Sequence, residues 1–135
     1  MEANLATIAR AYLPAGTLVS VYLVDLRPDF LLGRASLTVG GWRVIELDER
    51  FGLDGFTFFH ELAHHALGHV KVEHKVGTLI YKHPSQANLS QVERETIERY
   101  IERLENEADA WAASELAKFE GRFGPFSEAL GIKQG

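Results

Sequence analysis

The sequence predicts an α+β domain: a small three-stranded antiparallel sheet packed against one short helix and one long C-terminal helix. Three observations predict it. Between Thr17 and Leu47, β-branched and apolar residues gather in runs of strand length, separated by turn residues. Gly40-Gly41 lies between two of those runs, the composition of a two-residue hairpin loop. After Asp54, and again after Ser90, apolar residues recur at helical spacing instead.

Each element has its own signal. Leu5, Ile8, Ala9 and Tyr12 share a helical face over residues 2 to 13, and Pro14 and Gly16 close that packing helix. Thr17 to Leu26 is the first strand, followed by the turn Arg27-Pro28-Asp29. Ala35 to Val39 and Trp42 to Leu47 are the second and third strands, flanking the glycine pair. Asp54 is the N-cap of a helix in which Phe56, Phe59, Ala63, Ala66, Leu67 and Val70 form one arc, opposite Glu61 and His65. Gly68 marks its end. Beyond it, Thr78 to Tyr81 is either a short strand or a loop, and His83-Pro84-Ser85 breaks the pattern.

From Ser90 the chain is helical again, and Ser90 with Glu93 has the spacing of a capping box. Ile97, Ile101, Leu104, Ala108, Trp111 and Ala112 form one apolar face running to about Phe119. Gly121, Gly124 and Pro125 terminate this helix, and a short last helix covers Ser127 to Leu130.

Composition narrows the chemistry. A chain of 135 residues with 46% hydrophobic and 24% charged residues is expected to form a single domain over residues 1–135. With no cysteine, thiolate metal sites are excluded, and any metal must be held by His, Asp or Glu. A formal charge of −5 without a basic stripe argues against direct nucleic-acid binding. There is no apolar run of membrane-spanning length, and Met1-Glu2-Ala3-Asn4 does not resemble the start of a signal peptide. A cytoplasmic protein is expected.

The chemical centre of the sequence is His60-Glu61-Leu62-Ala63-His64. Residues four apart on a helix lie about 40° apart around its axis, one turn along. His60 and His64 can therefore grip one ion from one face. Glu61 lies about 100° round from His60, which suits a general base beside a zinc-activated water rather than a third ligand. A catalytic zinc takes three protein ligands and keeps one position open. Glu105-Asn106-Glu107-Ala108-Asp109 offers the third. Glu105 and Asp109 share a helix face, so Glu105 is chosen as the ligand, with Glu107 as the alternative. Asp109 would accept the outer N–H of a ligand histidine and fix its tautomer.

These two segments, His60 to His69 and Glu105 to Ala112, resemble the ImmA/IrrE family of gluzincin-type zinc metallopeptidases. That family shows His-Glu-Leu-Ala-His with a nearby Leu-Gly-His, then Glu-x-Glu-Ala-Asn/Asp-x-Phe-Ala. The resemblance covers roughly residues 35 to 118. This chain departs from the pattern with Trp111 in place of Phe, and it lacks the usual Leu-Leu-Met-Pro after that helix. The resemblance implies a minimal zincin-like fold, zinc on His60, His64 and Glu105, Glu61 as base, and an edge strand that receives extended substrate. It also implies a protein substrate such as the helix-turn-helix repressor of a phage or mobile element.

The expected reaction is zinc-dependent peptide hydrolysis, with substrate added along Trp42 to Leu47. Tyr81, His83 and Tyr100 are candidates for stabilising the oxyanion or contacting substrate. His65 and His69 are expected on the flank away from the ligand pair, His69 as a helix-end residue, and His74 is expected to be exposed. Two other readings keep the same ligands: a zinc-binding interaction module without turnover, and a metal-dependent hydrolase of non-protein substrates.

Overall fold

The computed structural model describes residues 1–29, 31–50, 54–70 and 90–130. Helix α1 (Glu2–Arg10) buries Leu5, Ala6 and Ala9 beside strand β1 (Val19–Val24). The Glu2 carboxylate at its start accepts the Leu23 N–H at 2.7 Å, so the helix also covers part of that strand's outer edge. A single 3-10 turn, Arg27–Asp29, follows. Strands β2 (Gly33–Leu37) and β3 (Arg43–Asp48) then form the expected hairpin. Gly41 takes φ +83° in its turn, and Thr38 Oγ1 accepts the Trp42 N–H at 3.0 Å.

The sheet is mixed, which corrects the antiparallel expectation. Its strand order is β1-β3-β2, with β3 antiparallel to β2 but parallel to β1, in register from Val19 opposite Arg43 to Val24 opposite Asp48. Two features favour this arrangement. Ile45 and Leu47 are fully buried, which suits the central strand. The Asp48 carboxylate, also fully buried, accepts the Leu26 N–H at 2.7 Å and pairs with Arg50. That bond requires the ends of β1 and β3 to lie together, so the two strands must run the same way. The expectation that Trp42 to Leu47 offers a docking edge is corrected for the same reason: β3 is paired on both sides, and β2 is an outer strand.

Helix α2 (Gly55–Ala66) begins at Asp54, whose side chain accepts the Phe56 N–H at 3.0 Å. It lies between the sheet and helix α3 (Gln91–Phe123), and this position overrides the single apolar arc read from sequence. Phe58, Phe59, Leu62 and Ala63 are fully buried, and so are Glu61 and His65 to within a tenth of their surface. Phe56 and Leu67, assigned to the apolar arc, are instead 36% and 40% exposed. The helix start is pressed against its neighbours: a Cβ at Gly55 would meet Leu116 Cδ1 at 2.8 Å and Phe126 Cγ at 2.9 Å.

Helix α3 opens on the Ser90–Glu93 capping box and buries Leu104, Ala108, Ala112 and Phe119. It runs through Gly121 and ends at Gly124, where φ is +85°. Helix α4 (Phe126–Ala129) closes the core. Phe59 is the hub of that core. Its ring meets Tyr12 edge-on at 5.3 Å, and Phe58, Trp111, Phe119 and Phe126 within 6.3 Å. Burying one such ring contributes about 2–3 kcal/mol, which anchors α2 to the core. Among the described residues no helix is long and apolar enough to cross a membrane.

Candidate metal centre

His60 and His64 project from successive turns of α2 toward α3, which brings Glu105 up to both. His60 Nε2 lies 2.8 Å from Glu105 Oε2, His64 Nε2 lies 3.3 Å from Glu105 Oε1, and the two Nε2 atoms are 3.3 Å apart. A tetrahedral zinc with bonds of 2.0–2.1 Å places its ligand atoms about 3.3 Å from one another. The two imidazole nitrogens and the Glu105 carboxylate are separated by distances near that size, and this donor set suits a divalent metal ion. Among the described residues, His60, His64 and Glu105 are a group able to hold a metal ion.

Electrostatics tie the three together. Hydrogen bonding to Glu105, with help from Asp109, raises the His60 pKa to about 9 against the cost of burial. The same bonds, from His60 first and His64 second, hold the Glu105 carboxyl well below the usual carboxylate range. Asp109 Oδ1 stands 2.8 Å from His60 Nδ1, the ring nitrogen turned away from Glu105.

Glu61 projects from the side of α2 that faces β2, beside the ligand pair. Burial pushes its carboxyl pKa up, partly offset by His60 and His64. Its side chain fits against Gly33: a Cβ there would lie 2.7 Å from Glu61 Cγ and 2.8 Å from Oε2. Glu61, His64 and Glu105 line a cleft whose walls on one flank are Ala35, Val70, Ile101 and Leu104. On the other flank the walls are Leu31, Leu32 and Phe56. The cleft thus has an apolar lining with a few converging polar groups, and β2 runs along it.

The remaining candidates divide. Tyr100 lies on α3 about 140° round the helix from Glu105, with the Arg103 guanidinium over its ring at 5.1 Å. The geometry does not bring it to the metal group. Tyr81, His83, His74 and the Thr78 to Tyr81 segment lie outside the described residues. His65 is off the ligand face as expected, but it is buried: Val44 O stands 2.9 Å from its Nε2 and Arg43 Nη1 3.1 Å from its Nδ1. Burial therefore lowers its pKa to about 4.

His69 corrects the sequence reading. It was expected away from the ligands, yet its Nδ1 lies 3.1 Å from His64 Nδ1 and its ring lines the cleft. The signal is Gly68, read from sequence only as the end of the helix. With φ +74° it reverses the chain at the end of α2, and helical periodicity no longer applies to the residue after it. Glu107, the alternative ligand, reaches His69 Nε2 at 3.2 Å instead of the metal group.

Compared with protein-family models, with curated proteins and with solved structures, the chain finds no match in any of the three.

Proposed function

We propose that this protein is a zinc-dependent metallopeptidase of the ImmA/IrrE type, with a minimal zincin-like layout and a protein or peptide substrate. The observation that carries the reading is the convergence of His60 Nε2, His64 Nε2 and Glu105 on one point, with the buried acid Glu61 in the same cleft. A zinc ion held by those three residues supplies Lewis acidity, which lowers the pKa of a water and polarises a carbonyl.

The chain's own groups do the rest. Glu61, its pKa raised by burial, takes the proton of the attacking water and passes it to the leaving amine. Metal binding alone does not require a buried acid with a place kept clear for it by Gly33, which favours an enzyme over a silent zinc-binding module. An extended substrate adds its main chain to the outer strand β2, whose Ala35 lies at the cleft. A helix-turn-helix repressor presenting an extended segment is the substrate class the resemblance implies.

The test is Glu61→Gln, assayed on a peptide library and on repressor proteins with zinc content measured alongside. The reading expects cleavage to fall by about 100-fold or more while zinc is retained. Undiminished cleavage would remove Glu61 from its role.

A further inference from the structure

Helix α2 ends in a Schellman turn. Gly68 has φ +74°, its N–H donates to His65 O at 3.2 Å, and the His69 N–H donates to His64 O at 2.9 Å. Such a turn brings the side chain two residues past the cap back over the one three residues before it, a contact that is ordinarily hydrophobic. Here both positions are histidines, and the contact joins ring nitrogens: His69 Nδ1 is 3.1 Å from His64 Nδ1. The far nitrogen of His69, Nε2, is 3.2 Å from Glu107 Oε2 on α3. His69 is 7% exposed, so the middle of this connection is out of solvent, while the Glu107 carboxylate at its outer end is half-exposed.

We infer that His69 and Glu107 are positioning residues for the metal ligand His64, joined to it through the Schellman turn. The inference rests on the metal reading above, and the protonation pattern follows from it. With Nε2 of His64 turned to the metal position, its proton sits on Nδ1 and is donated to the lone pair on His69 Nδ1. His69 then carries its own proton on Nε2 and donates it to the Glu107 carboxylate. This arrangement of protons is consistent with both contacts, His64 to His69 and His69 to Glu107. The two ligand imidazoles are thus held from behind by different means, His60 by the Asp109 carboxylate directly and His64 by an imidazole that a carboxylate backs. The acidic run of α3 serves three positions: Glu105 at the metal, Asp109 behind His60 and Glu107 behind His69.

The experiment measures zinc affinity by chelator competition, with thermal midpoints of the metal-free proteins, for wild type, His69→Phe, His69→Gln and Glu107→Leu. His69→Phe keeps a ring of similar size but cannot accept the His64 proton, and is expected to weaken zinc binding by about 10- to 100-fold. His69→Gln, which keeps an acceptor and a donor, recovers most of that loss. Glu107→Leu, at a half-exposed helix position, weakens binding several-fold and leaves the metal-free midpoint near wild type. Long-range proton–nitrogen spectra of the zinc-loaded protein are expected to show His64 protonated on Nδ1 and His69 on Nε2.

The inference is overturned if His69→Phe and Glu107→Leu both bind zinc as wild type does, or if His69 carries its proton on Nδ1. Should His69→Phe fail to fold, Glu107→Leu and the spectra decide. Wild type that binds no zinc overturns the metal reading and this inference together. Wild type that loses zinc on Glu105→Ala but is indifferent to the His69 and Glu107 changes overturns this inference alone.

Discussion

Glu61 occupies its place because residue 33 has no side chain. A Cβ on Gly33 would stand 2.7 Å from Glu61 Cγ, closer than real carbon atoms approach. Strand β2 and helix α2 therefore meet at a glycine, and the acid proposed as general base lies in the space this leaves.

Gly33→Ala is expected to displace Glu61 without touching the metal ligands. Hydrolysis should fall by about 100-fold, the cost of an ångström-scale misplacement of a reacting group, while zinc content stays at the wild-type level. Steady-state kinetics beside metal analysis check this. Full activity in the alanine variant would show that the acid does not need the place it occupies here.

His65 makes a distinct prediction about acid stability. Its folded-state pKa of about 4 lies below the ordinary histidine value of 6.5, because burial between α2 and β3 disfavours the charged form. The unfolded chain takes up this proton first as pH falls, so stability is intact above pH 6.5 and is lost toward pH 4. The loss amounts to about 3 kcal/mol. Urea unfolding of the metal-free protein should show wild type losing about that much more than His65→Gln over this interval. Parallel curves would contradict it.

His60 behaves in the opposite sense. Both its ring nitrogens face carboxylates at 2.8 Å, Glu105 and Asp109, and its pKa is raised to about 9 in the metal-free protein. The stabilisation from this ion pair is fully present below pH 6.5 and is lost as pH rises through about 9. Zinc must displace the proton on Nε2, so binding at pH 8 should release about one proton, and apparent affinity should rise about tenfold per pH unit below 9. Calorimetry in two buffers of different ionisation enthalpy measures the release. Zinc uptake with no proton released would contradict the pairing.

Much of this site was legible in the sequence, because helix geometry is short-range. The i, i+4 spacing put His60 with His64 and Glu105 with Asp109, and the structure brings those four side chains together. The Asp54 and Ser90 caps were legible for the same reason. What escaped depends on contacts distant along the chain. Sequence order suggests that consecutive strands pair, whereas the Asp48–Leu26 bond accompanies β3 lying between β1 and β2. The arc drawn through Phe56 and Leu67 failed because α2 is covered from two sides, which a single-face pattern cannot express. His69 escaped because Gly68 leaves the helix one residue earlier, and a left-handed residue changes where the next side chain points.

Glu105 stands with His60 and His64, whereas Glu107 reaches His69, so Glu105 is the proposed third ligand. Metal analysis of purified wild type, Glu105→Ala and Glu107→Ala, each equilibrated with a slight excess of zinc, tests it most directly. One zinc per chain is expected in wild type and Glu107→Ala, and little or none in Glu105→Ala. Zinc retained by Glu105→Ala and lost from Glu107→Ala would contradict the account.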